Sequence, residues 1–165
     1  MKYIFSALLL MLLSFACNRE RSEQRLLVYT SPTGATRIGG LLAVAKENNL
    51  RVDTTSNGAY LHEDSLSRYS AVVLWYADVN RVGSPQQANV QRYVQAGGGL
   101  ISVGAPITSP YQWPWYYQLT HRETDQPGKA VAVRKVSTAA PTGQNQSLAF
   151  EYDGGRVLYF PWIRP

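Results

Sequence analysis

Two neighbouring stretches decide how this chain folds: Ala71-Val72-Val73-Leu74-Trp75-Tyr76, and the run from Ser84-Pro85-Gln86-Gln87 through Gly97-Gly98-Gly99 to Leu100-Ile101-Ser102-Val103. The first is apolar at every position, which suits a central strand covered on both faces rather than an edge strand with one wet side. The second opens with a helix-start pattern, in which Ser84 reads as the N-cap, Pro85 as the first helical residue and Gln87 as the far half of a capping box. Its apolar stripe is Val90, Tyr93 and Val94. The helix runs to about Ala96, where the glycines stop it because glycine readily enters the left-handed region. Leu100 to Val103 then begins another strand almost at once.

Working outward, the same rhythm appears upstream. Leu26 to Thr30 is a short buried strand that enters a Ser-Pro-Thr-Gly turn. Arg37 to Asn49 places Ile38, Leu41, Leu42 and Ala45 on one helical face, with Gly39-Gly40 weakening the start. Arg51 to Thr54 is a brief second strand, followed by a helical turn at Asp64 to Tyr69. Strand, helix, strand, strand, helix, strand is the order of a parallel sheet wound with helices, so the expected class is α/β with a flavodoxin-like wound sheet. Downstream, Ala130 to Val136 alternates as a strand, and Ser137 to Ser147 is polar and reads as a loop. Leu148 to Tyr152 and Arg156 to Phe160 read as a C-terminal β-hairpin closed by the three residues Asp153-Gly154-Gly155. No period suggests a solenoid.

Composition agrees with one folded domain. The chain has 165 residues, 45% of them apolar and only 16% charged, far from the low-hydrophobicity, high-charge signature of a disordered chain. Lys and Arg number 16 against 11 Asp and Glu, but the positive charges are scattered, with Arg134-Lys135 the longest cluster of the domain. Nucleic acid is therefore not an expected partner, since its binding faces concentrate basic residues.

The N-terminus reads separately. Lys2 precedes an apolar run from Tyr3 to Phe15, shorter than the roughly 17 to 25 residues needed to cross a bilayer as a helix, and Ala16 and the sole cysteine, Cys17, follow. Residues 1–16 read as a signal peptide. Ser14-Phe15-Ala16-Cys17 resembles a loose bacterial lipobox, with Leu13 one place further from Cys17 than the usual pattern. A lone thiol in an exported chain has no internal disulfide partner, and lipidation of Cys17 gives it a role; the alternative is an ordinary cleaved signal with an incidental cysteine. Residues 17–25 then form a lipidated Cys and polar tether, and 26–165 the domain. The expected location is the bacterial cell envelope, lipid-anchored, with the membrane as partner.

The segments Tyr93-Val94-Gln95-Ala96-Gly97-Gly98-Gly99-Leu100 and Tyr111-Gln112-Trp113-Pro114-Trp115-Tyr116 resemble the ThuA-like (trehalose utilisation) family, which has the class I glutamine amidotransferase-like fold. Leu27 to Thr30 with Arg37 soon after, Leu66 to Val73, and Gly155 to Tyr159 continue the resemblance in order. The departures concern imidazoles. The family's His at the turn after the glycine-led strand corresponds to Gly104, the His following its Arg (here Arg37) to Ile38, and its His-Pro pair to Gln126-Pro127.

The residues themselves supply little catalytic chemistry. Acyl transfer needs a nucleophile, a base in reach and oxyanion donors. Cys17 is assigned to the anchor, His62 and His121 sit in polar stretches that suit solvated surface residues, and Ser102 lies within a strand. No His or Cys spacing marks a metal site, and no cofactor is expected. Ligands of wound sheets settle outside the carboxyl ends of the strands. That gathers Thr30, Ser31, Thr33, Thr36 and Arg37, then Tyr76 and Asp78, then Gly104 to Thr108. Arg37 has a structural alternative in pairing with Asp78 or capping a helix. Tyr111, Trp113, Trp115, Tyr116 and Tyr117 follow as a prospective aromatic wall, although the tryptophans suit a core equally well. Aromatic faces beside hydroxyls and carboxylates fit a sugar.

Three readings result. One is a ThuA-like domain without catalytic groups that keeps a carbohydrate-related or protein-binding role. Another is an enzyme acting on a sugar derivative through Asp78, Arg37 or a tyrosine, and the third is a structural lipoprotein docking a protein partner. The missing imidazoles favour the first and third.

Overall fold

The structure, a computed structural model, describes residues 24–121 and 148–160. The expected signal peptide, Cys17 and the expected tether up to residue 23, the strand expected at 130–136, the loop expected at 137–147, Arg134-Lys135 and Gln126-Pro127 lie outside these; Arg25, read from sequence as the end of the tether, instead begins the first strand. The strands are β1 (Arg25–Thr30), β2 (Arg51–Thr55), β3 (Ala71–Trp75), β4 (Gly99–Val103), β5 (Leu148–Tyr152) and β6 (Gly155–Phe160). They form one six-stranded sheet of order β2-β1-β3-β4-β6-β5. Every pairing is parallel except β5 with β6. The wound α/β class and the terminal hairpin are as the sequence implies. The hairpin loop is shorter than expected, because Tyr152 pairs with Gly155 and only Asp153 and Gly154 turn, both with positive φ (53° and 97°). That is the backbone a tight two-residue turn needs to match strand twist.

The central strands divide the interior by alternation. Leu27, Tyr29, Val72, Leu74, Leu100 and Val157 face one side, where they pack with Leu61, Leu66, Val90, Val94 and the aromatic residues 113–116. Leu26, Val28 and Val73 face the other, against Ile38, Leu41, Val52 and Trp75. Helices α1 (Pro32–Ala35), α2 (Gly39–Glu47), α3 (Glu63–Leu66), α4 (Ser84–Gln95) and α5 (Pro114–Thr120) connect or cover the strands.

Several local expectations are corrected. The Ser-Pro-Thr-Gly turn is the one-turn helix α1, capped by Ser31, whose Oγ accepts from Gly34 N. In α2, Ile38, Leu41 and Ala45 pack inward whereas Leu42 is 40% exposed, so the apolar face is narrower than the pattern indicated. The N-cap of α4 is Gly83, not Ser84, and it makes no side-chain cap bond. Gln87 does not complete a capping box. Its Nε2 instead donates to the carbonyls of Val82 (2.8 Å) and Gln112 (3.0 Å), bridging to the segment after β4. At the other end of α4 the glycine stop is as expected: Gly97 (φ 97°) and Gly98 donate to Val94 and Tyr93 in the paired pattern of a Schellman motif.

One cross-link ties the sheet edge to its centre. Arg25 donates to Asp53 at 2.6 Å, and its guanidinium lies over the Tyr69 ring. Burial alone would raise the Asp53 carboxyl, but hydrogen bonds from Arg25 and Tyr69 and the charges of Arg25 and Arg51 outweigh it and hold the group below its ordinary range. A carboxyl depressed on folding stabilises the native state above its unfolded value, about 3.9, and that contribution is lost as pH falls through the lower folded value. Asp53→Asn should therefore lower the melting temperature modestly at pH 7, and the gap to the parent should shrink steadily as the pH is taken below the unfolded value. A gap that stays constant as the pH falls from 7 through the acid range would mean the carboxylate charge is not what matters.

Candidate functional site

The register of the three central strands builds the site. Thr30 stands opposite Trp75, and Trp75 opposite Val103, so the next residues, Ser31, Tyr76 and Gly104, leave the sheet side by side at its carboxyl edge. The sheet order reverses between β1 and β3, and the crevice at such a point is where ligands of wound sheets bind. Here it is an open crevice of 610 Å³, lined by Tyr29, Thr30, Ser31, Pro32, Thr33, Arg37, Ser56, Tyr76, Ala77, Asp78, Arg81, Gly104 and Pro106.

Tyr76 is the strained element. Its φ is 45°, a left-handed conformation unfavourable for a bulky residue, and the surroundings fix it there. Its N–H donates to the Val103 carbonyl at 2.7 Å, its carbonyl accepts from Ser31 Oγ at 2.7 Å, and Trp75 meets its ring edge-on at 5.4 Å. The Arg37 guanidinium lies over the Tyr76 ring, 5.3 Å from its centroid. Gly104 turns the chain with φ 56° and presents bare backbone to the crevice.

The charged groups are unequally satisfied. Asp78 caps the helical turn Val79–Arg81 through Asn80 N and pairs with Arg81 at 3.5 Å. The alternative pairing of Arg37 with Asp78 is not formed, and Arg37 meets no carboxylate among the described residues. Tyr29, at the crevice floor, has its phenol pushed up first by burial and then by the Asp78 charge, with Arg81 opposing. It is a neutral hydrogen-bond donor at physiological pH.

Of the residues picked from sequence, Thr33, Arg37, Tyr76, Asp78 and Gly104 all line this crevice, as do Thr30, Ser31 and Pro106. Thr36 instead bonds back to the Thr33 carbonyl. The aromatic wall is not formed. Pro114 sits at the start of α5, and one turn of helix carries Trp115, Tyr116 and Leu119 onto the sheet. Trp113 and Tyr116 are 2% and 0% exposed and stack with centroids 5.0 Å apart. Trp115 is also buried, its indole donating to Asp153 at 3.2 Å. Tyr111 points to solvent, 92% exposed. None of these lines the crevice. Ser102 is buried beneath, bonded to the Tyr116 hydroxyl at 2.6 Å. Tyr29, Ser56 and Arg81 were not singled out from sequence.

Chemically, the lining offers hydroxyls, two guanidinium groups and one carboxylate. Ser31 Oγ is committed to Tyr76 O, Thr33 Oγ1 and Gly34 N, with no base beside it. His62 and His121 are exposed elsewhere, one bonded to Ser65 and the other stacked on Tyr117. Of the positions matching family histidines, Ile38 is half-buried against the sheet and Gly104 lies in the crevice. No group of His, Cys, Asp and Glu among the described residues could hold a metal ion.

Comparison with known proteins identifies the lineage of this fold. Residues 25–159 match the family described as ThuA, trehalose utilisation. The chain belongs to the ThuA family. A solved ThuA-like protein from Bacteroides uniformis ATCC 8492 resembles this ThuA chain with a TM-score of 0.51 at 15% identity, over 60% of this chain and 44% of that one. At that identity the likeness is one of fold, and the present chain spans less than half the length of its solved ThuA neighbour. No curated protein matches it.

Proposed function

We propose that this ThuA chain is a binding module of the bacterial cell envelope, anchored by a lipid on Cys17, whose crevice at the carboxyl ends of β1, β3 and β4 takes a carbohydrate-related small molecule. The observation that carries the reading is the construction of the crevice. A strained Tyr76, a hydroxyl-bearing turn after β1 and a bare Gly104 converge on 610 Å³ of open space, and strain of this kind persists where the surrounding structure over-determines it, commonly at ligand sites. The lining, with the Asp78 carboxylate and the Thr33 and Ser56 hydroxyls beside the Tyr76 ring, suits the polar rim and apolar faces of a sugar. Binding is favoured over turnover because Asp78 is engaged by Arg81 and Asn80 N, which leaves it poorly placed as a base.

A ligand that binds only the native state raises the melting temperature, by about 2.7 kcal/mol of stability at a hundredfold excess over Kd. A panel of mono- and disaccharides should therefore contain at least one that shifts the parent by a few degrees and shifts Asp78→Ala less. A flat panel would remove the carbohydrate reading. For the anchor, detergent-phase partitioning should be lost in Cys17→Ser, and unchanged partitioning would remove it.

A further inference from the structure

Taking the crevice as a sugar site, we infer that its ligand is an acidic sugar, carrying one carboxylate held by Arg37. The inference deepens the carbohydrate reading and rests on it. Three observations lead to it. First, the crevice has two guanidinium groups and one carboxylate, and Asp78 is already paired with Arg81. The charge left over is one positive unit, on Arg37. Second, Arg37 is placed by a cation–π contact rather than by an ion pair: its guanidinium carbon lies 5.3 Å from the centroid of the Tyr76 ring, and Tyr76 is itself fixed by Val103 O and Ser31 Oγ. No hydrogen bond or ion pair among the described residues engages its N–H donors, so the fork that matches a carboxylate is unspent. Third, the paired Asp78 and the Thr33 hydroxyl, on the same crevice, can serve ring hydroxyls. An acidic group at one end and several hydroxyls along the body describe a uronic or aldonic acid. A single spare positive charge matches a monoanionic carboxylate better than a doubly charged phosphate ester.

The test uses the purified full-length chain at low salt, because an exposed pair is screened at high ionic strength, and compares glucuronate, gluconate, glucose and glucose 6-phosphate by calorimetry. The expected result is that one of the two acids binds at least about tenfold tighter than glucose, the scale of a hydrogen bond to a charged group. Arg37→Gln should abolish that preference, read as the ratio of acid to glucose affinity within the same variant, and Arg37→Lys, which keeps the charge but not the fork, should recover only part of it. Melting curves confirm that both variants are folded. Equal binding of acid and neutral sugar, a preference that survives Arg37→Gln, or tighter binding of the phosphate ester would each overturn the carboxylate assignment while the sugar site stands. If none of the four binds, the sugar reading fails along with it.

Discussion

Gly34→Ala is expected to cost about 3 kcal/mol, at the upper end for forcing extra volume into a packed region, and to lower the melting temperature by about 10 °C. Gly34 is buried in α1, and a β-carbon there would lie 2.3 Å from Thr30 Oγ1, 2.7 Å from the Trp75 carbonyl and 3.0 Å from Tyr76 Cβ. The first contact could be relieved by rotating the threonine. The second is backbone at the end of the central strand β3, paired to strands on both sides, and cannot move cheaply. Relief must come from α1 lifting away from β3, which stretches the Ser31–Tyr76 bond that fixes the strained residue. The substitution should therefore lose ligand binding even at temperatures where the chain remains folded. A variant as stable as the parent, measured by denaturant or thermal melting, would mean that α1 is not held against β3 as described.

The second large effect is at Tyr116. Its ring is fully buried and stacked on Trp113. Its hydroxyl donates to the Ala105 carbonyl at 2.7 Å and, with that proton used, accepts from Ser102 Oγ at 2.6 Å. Burial, partly offset by Ser102, pushes the phenol far above its ordinary range, so it stays neutral at any pH the fold survives. Tyr116→Ala removes a large core side chain and should cost about 4 kcal/mol. Tyr116→Phe keeps the ring but strands Ser102 Oγ and the Ala105 carbonyl, at about 2 kcal/mol. Adding Ser102→Ala to Tyr116→Phe should return part of that loss, because one orphaned group is then gone. If the double variant is less stable than Tyr116→Phe by the full cost of Ser102→Ala alone, the two hydroxyls do not act as a unit. Through the Ala105 carbonyl this network holds the turn that carries Gly104 and Pro106 of the crevice.

These two sites show which parts of the molecule were legible in the sequence. The wound sheet was, because β3 is an unbroken apolar run, β1 and β4 are largely apolar, and helix α4 is followed at Gly97 by the left-handed φ that the glycine run announces. Half of the site was legible for the same reason: Thr33, Arg37, Tyr76, Asp78 and Gly104 follow strand ends that the parallel register must bring together. Tyr29 and Ser56 were not, since their contribution depends on which way a strand-end side chain leans and where the turn after edge strand β2 passes. Arg81 depends on a short helical turn started by Asp78, a signal present in Asp78-Val79-Asn80 but too local to point at the crevice. The aromatic segment misled because composition does not separate a ligand wall from a core. The apolar spacing of Trp115, Tyr116 and Leu119 after Pro114 was the available sign of an inward-facing helix.

The central claim, that the crevice between the ends of β1, β3 and β4 is where this ThuA chain meets its ligand, is tested most directly by following backbone amide resonances while titrating the sugar that gives the largest thermal shift. The account predicts saturable changes concentrated at Ser31, Thr33, Arg37, Tyr76, Asp78 and Gly104, with the α2 surface around Val44 unmoved. Saturable changes centred elsewhere, with those six residues silent, would contradict it.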